Sequence, residues 1–133
     1  MKRDTDYQGG KLELSGKAYE KGLLLCPAQT RAGGAGQATW LLSGGLRQAR
    51  RFTATIGIED MMREHNLGSS VFIVEVFRKG QWERLYESPV LKLGQTPEVD
   101  VDIAGAEQLR LRTTDGGDHI YGDHAVWAAA RIK

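Results

Sequence analysis

Three aspartates and two histidines fall within ten residues near the end of the chain, in DGGDHIYGDH, Asp115 to His124. Carboxylates and imidazoles at that density could hold a metal, share a proton in catalysis, or cap a loop. An EF-hand loop starting at Asp115 would need Asp or Asn at its third and fifth positions and Glu at its twelfth. Gly117, His119 and Val126 stand there, so that site is excluded. Zinc is poorly served. His119 and His124 are five apart, an odd separation that sends them to opposite faces of an extended segment. No cysteine pair or HExxH motif accompanies them. Asp–His catalysis would need a nucleophile in context, and Ser15, Ser43, Ser69, Ser70 and Ser88 lack nucleophile-elbow surroundings. Two readings stay open. Asp115, Asp118 and Asp123 on glycine-bent backbone could supply oxygens to calcium, or the same carboxylates could bind loop N–H groups as Asx turns.

The segments that must position these residues read as strands. In RFTATIGI, Phe52, Ala54, Ile56 and Ile58 share one face and Thr53 and Thr55 the other, the period-2 pattern of a half-buried strand. EVDVDI sets Val99, Val101 and Ile103 against Glu98, Asp100 and Asp102, and LRLRT sets Leu109 and Leu111 against Arg110 and Arg112. VFIVEVF is apolar on both faces except for Glu75, which suits a central strand covered on both sides. Further strands are expected at Lys17–Leu25, Ala38–Leu42, Gln81–Tyr86, Pro89–Leu93 and His124–Lys133. Only Glu59–Asn66 reads as helical, and RAGGAGQ (Arg31–Gln37) as a loop. In the last segment strict alternation puts Ala125, Trp127, Ala129 and Arg131 on one face and Val126, Ala128, Ala130 and Ile132 on the other. Strands at this spacing with glycine-rich turns predict an all-β, antiparallel β-sandwich.

At 133 residues the chain suits one domain and needs no disulfide or metal to fold. The single cysteine, Cys26, leaves the redox compartment open. Eighteen basic against 17 acidic side chains give a net charge of +1, which makes no footprint for nucleic acid. Arg47, Arg50 and Arg51, the local basic cluster, read as a solvated turn. No apolar run is long enough to span a membrane, and the polar start, MKRDTDYQGG, is not a signal peptide.

Four pieces in order carry a family resemblance: YEKGLLLCPAQT, RRFTATIGIED, GSSVFIVEVFRKGQWERLYESPVL and VDVDIAGAEQLRLRTTDGGDHIYGDHAVWAAARI. Together they resemble the NPCBM domains, the group that includes carbohydrate-binding module family 51. The resemblance implies a sandwich of the jelly-roll, galactose-binding-domain-like kind over residues 16–133, with residues 1–15 an N-terminal extension and possible first strand. It implies a non-catalytic module that binds galactose-type glycans at loops along one edge. A structural Ca2+ would be held by Asp115, Asp118 and Asp123. It also implies an extracellular or cell-envelope setting and a covalently linked catalytic domain, such as a glycoside hydrolase, in a longer chain. Trp127 then belongs to the core. Two departures stand out. Cys26 and Gln29 replace a histidine and serine common in relatives, and Lys79 replaces an aspartate before the hairpin glycine.

A sugar site needs an aromatic face and planar polar groups in a shallow loop pocket. Tyr121 and His119 are the foremost candidates, followed by Trp82, Gln29 and Glu59. The alternative is a protein-interaction or structural sandwich without sugar binding, which would expose an apolar patch instead. An enzyme comes third, since the sequence shows no convergent acid–base pair.

Overall fold

A computed structural model describes residues 2–3, 12–14, 17–19, 22–25, 35–58, 69–92, 94–114 and 125–133. The strands, in chain order, are β1 (Lys2–Arg3), β2 (Leu12–Leu14), β3 (Lys17–Tyr19), β4 (Gly22–Leu25), β5 (Ala35–Leu41) and β6 (Arg51–Ile58). They continue with β7 (Ser69–Arg78), β8 (Gln81–Glu87), β9 (Leu91–Lys92), β10 (Glu98–Asp102), β11 (Gln108–Thr114) and β12 (Ala125–Ile132). One sheet runs β1-β4-β12-β6-β10. The facing sheet runs β5-β11-β7-β8, with β9 beside the start of β7, and β2 and β3 form a separate hairpin. Every pairing among the described residues is antiparallel, as the alternating patterns imply.

Alternation decides which side chains meet between the sheets. Phe52, Ala54 and Ile56 of β6 face Phe72, Val74 and Val76 of β7 and Leu109 and Leu111 of β11, all buried in one apolar cluster. Trp127 of β12 is fully buried among them, as its place in the family pattern implies. β7 lies inside its sheet, and Ile73 and Glu75 on its other face are buried as well.

Several boundaries differ from the sequence reading. The segment Lys17–Leu25 is two strands, and Ala35, Gly36 and Gln37 belong to β5 instead of a loop. A 3₁₀ turn at Gly44–Gln48 precedes β6. The helix expected at Glu59–Asn66 lies outside the described residues. In β12 strict alternation fails. Ala128 pairs with Thr55 but Arg131 pairs with Thr53, so one extra residue is bulged into β12. Ala129, inside the bulge, takes φ 51°, a conformation that L-residues with a Cβ avoid. The bulge rotates the rest of the strand, so Ala130 and Ile132 pack against the same core as Trp127.

The β7–β8 hairpin closes through Lys79 and Gly80, with φ 55° and 79°. Positive φ at both central residues of a two-residue loop is the turn whose twist matches the flanking strands. The common Asp or Asn before the glycine relieves the strain that Lys79 bears here.

Candidate functional site

The two ends of the sandwich are built differently. At one end Leu25 and Ile58 both lie opposite Ala125, so β4 and β6 finish where β12 begins. On the facing sheet Thr114 lies opposite both Ala35 and Val71, so β11 finishes where β5 and β7 begin. These strand ends bracket residues 26–34, 59–68 and 115–124, and each bracketed segment passes from one sheet to the other. Three long connections from one rim are what a loop-built binding site requires.

The opposite end is tightly latched. Leu42 N–H donates to the Glu107 carbonyl, Glu107 N–H to the Phe77 carbonyl and Ile103 N–H to the Arg50 carbonyl, each at 2.8 Å. The Arg50 and Arg51 N–H groups both donate to the Lys133 carbonyl. Arg78 donates to the Ala104 carbonyl at 3.1 Å and pairs with Glu83 at 2.9 Å.

Gln29, Glu59, His119 and Tyr121, together with Asp115, Asp118 and Asp123, fall on the three bracketed segments and so lie outside the described residues. Among the described residues no cluster of His, Cys, Asp and Glu could hold a metal. Trp82 is described, and it stands elsewhere. It lies opposite Phe77 beside the hairpin turn. Phe77 is eight residues along β7 from the rim at Ser69, a separation of about 26 Å at the usual strand rise. Trp82 and the rim therefore belong to different surfaces.

Around Trp82 the outer face of the second sheet carries a group the sequence did not announce. Trp82 is 38% exposed. It meets Phe77 edge-on at 5.5 Å, and the Arg110 guanidinium carbon sits 3.9 Å from its ring centre. Arg110 Nε donates to Glu75 Oε1 at 2.9 Å. Arg112 and Arg84 approach the same carboxylate at 3.5 and 3.6 Å. Burial works to raise the Glu75 pKa, but the Arg110 hydrogen bond and the charges of Arg110, Arg112 and Arg84 outweigh it and hold it below the usual carboxylate value. The anomaly of one glutamate in an apolar strand was visible in the sequence. Its partners, set beside it from β8 and β11 by strand register, were not.

Comparisons with known proteins agree with this architecture. The family model described as "NPCBM/NEW2 domain" matches residues 1–133. The fold is similar to that of CBM51 from Clostridium perfringens GH95, solved in complex with methyl-galactose. That match has a TM-score of 0.79 and 24% identity over 99% of this chain and 86% of that one. It is also similar to the chain of CBM51-2 and INT domains from Clostridium perfringens ZmpB, solved in complex with GlcNAc, with TM-score 0.75, 17% identity and coverage of 98% and 27%. The tandem CBM51 modules of Sp3GH98, a family 98 glycoside hydrolase from Streptococcus pneumoniae, match with TM-score 0.74, 20% identity and coverage of 98% and 40%. A search of curated proteins finds no match.

Proposed function

The chain belongs to the NPCBM/NEW2 domain family, and from that premise we propose that it is a non-catalytic carbohydrate-binding module that holds a galactose-type sugar at the loop rim. One observation supports this reading: β4, β6 and β11 end, and β5, β7 and β12 begin, at one end of the sandwich, bracketing Gln29, Glu59, His119 and Tyr121 in sequence. On this reading Tyr121 supplies the apolar face for the sugar ring and His119, Gln29 and Glu59 bind hydroxyls. The similar module from Clostridium perfringens GH95 was solved with methyl-galactose, which supports the choice of sugar. The tandem and multidomain relatives support a place beside a catalytic domain in a longer secreted chain.

Asp115, Asp118 and Asp123 share one connection, between β11 and β12. Their hard carboxylate oxygens suit Ca2+, whose part would be to brace that connection instead of acting in chemistry.

A glycan array on the domain, run with calcium and again with chelator, tests this. Selective binding to galactose-terminated glycans is expected, lost in Tyr121→Ala and His119→Ala and retained in Trp82→Ala. A blank array with folded protein would overturn the reading in favour of a protein-interaction module. An unchanged melting temperature with chelator would remove the calcium.

A further inference from the structure

We propose that the outer face of the β5-β11-β7-β8 sheet is a second binding surface, one that takes a carboxylate-bearing glycan of the uronic-acid kind. Cross-strand register builds the face. Thr39 of β5 lies opposite Arg110, Arg110 opposite Glu75, and Glu75 opposite Arg84, while Gln37 lies opposite Arg112. Exposed hydroxyl and amide groups, guanidiniums and the part-exposed Trp82 ring thus share one face of the sheet.

The charges do not balance. Three arginines stand against Glu75 and against Glu87, which bonds Arg84. Among the described residues one positive charge is left over. Hydrogen bonding is unbalanced too. Only Arg110 is within good hydrogen-bond distance of Glu75, and Arg84 and Arg112 hold it by charge at longer range. Arg112 Nε is buried and has no hydrogen-bond partner among the described residues, so only the rest of the Arg112 side chain, 29% exposed as a whole, can meet a ligand. Each guanidinium carries about five donors and one carboxylate accepts about four, so a second carboxylate arriving from solvent would meet unspent donors.

Those donors are already oriented. Arg110 is held between the Glu75 carboxylate and the Trp82 ring. A guanidinium fixed in this way loses less freedom when it binds a planar anion. The same ring offers an apolar surface to the C–H face of a sugar. The choice of a glycan over an acidic peptide rests on the carbohydrate-binding reading above. Its Trp82 end lies about 26 Å along β7 from Ser69 at the rim and Arg112, opposite Ile73, about 13 Å, and neither is on the bracketed segments, so the two can fail separately.

The test is calorimetric titration with a mannuronate oligosaccharide and with its carboxyl-reduced, neutral counterpart. The acid should bind at least about tenfold more tightly, a factor of the size expected for charge-assisted hydrogen bonds, and added salt should narrow the gap. Excess methyl galactoside should not displace it. Arg112→Gln and Trp82→Ala should each weaken acid binding by roughly tenfold, while Arg112→Lys, which keeps the charge, controls for folding. Equal binding of acid and neutral forms would overturn the proposal. So would acid binding that neither variant changes, displacement by the galactoside, or equally tight binding of polyglutamate, which would assign the face to acidic peptides. A blank galactose array beside acid-selective binding would sink the rim alone.

Discussion

Trp127 meets Phe72 edge to face across the sandwich, with ring centroids 5.3 Å apart. The contact ties β12 of one sheet to β7 of the other, and Phe52, at 6.1 Å, adds β6 to the same knot. Trp127 is fully buried, and its indole N–H has no hydrogen-bond partner among the described residues, so its worth lies in packing. Trp127→Ala should lower stability by about 3–5 kcal/mol, read from the urea midpoint. Trp127→Phe keeps an aromatic edge there and should cost clearly less. A near-parental midpoint for the alanine variant would show that the sheets are held elsewhere.

The bulge in β12 yields a prediction of opposite sign. Ala129 at φ 51° bears a steric cost that glycine does not. Ala129→Gly should stabilise by about 0.5–1 kcal/mol once the greater freedom of unfolded glycine is subtracted. Thermal melting of the two proteins would show it. A lower melting temperature would mean that the methyl group packs more tightly than its backbone angle suggests.

Ser88 stands where β8 stops pairing with β7. Its hydroxyl accepts from Phe72 N–H at 2.9 Å and donates to the Pro89 carbonyl at 2.7 Å, in place of a strand partner. Ser88→Ala would leave the buried Phe72 amide without that acceptor and should cost about 1–3 kcal/mol. Hydrogen exchange at the Phe72 amide should speed up in the variant. Unchanged protection there would refute the role.

Acid should weaken the fold through Glu75. Its folded pKa lies below the ordinary 4.5, so in the acid range the unfolded chain binds the proton more readily. The stabilisation is fully present above about 4.5 and is lost as pH falls through the lower folded value. Glu75→Gln should cost about 1.5–3 kcal/mol at neutral pH and flatten the acid limb of the stability–pH curve. Parallel curves for parent and variant would show that Glu75 is not the group responsible.

How much of this was legible depends on the reach of each interaction. Period-2 patterns are local, so β6, β10 and β11 could be read from Phe52–Ile58, Val99–Ile103 and Leu109–Leu111 directly. The regular spacing of such strands with glycine-rich turns already implied the sandwich, and the family pattern added the place of Trp127 in its core. The β12 bulge was not legible, because Ala129 carries no sign of positive φ; glycine there would have given one. The environment of Glu75 was hidden for a different reason. Its partners Arg84, Arg110 and Arg112 come from two other strands, and only register brings them together. The same blindness grouped Trp82 with residues of the rim, since a sequence does not show at which end of a strand an aromatic falls.

β8 closes its sheet, with no strand beyond it among the described residues. Glu83, Arg84 and Glu87 are exposed along it, and a register shift interrupts its pairing with β7 between Val74 and Glu75. Charge and irregularity on a margin of this kind make a poor template for another chain. Copies crowded together, whether in tandem on one polypeptide or at high concentration in a tube, therefore gain little by zipping along β8, where a smoother border would seed fibres.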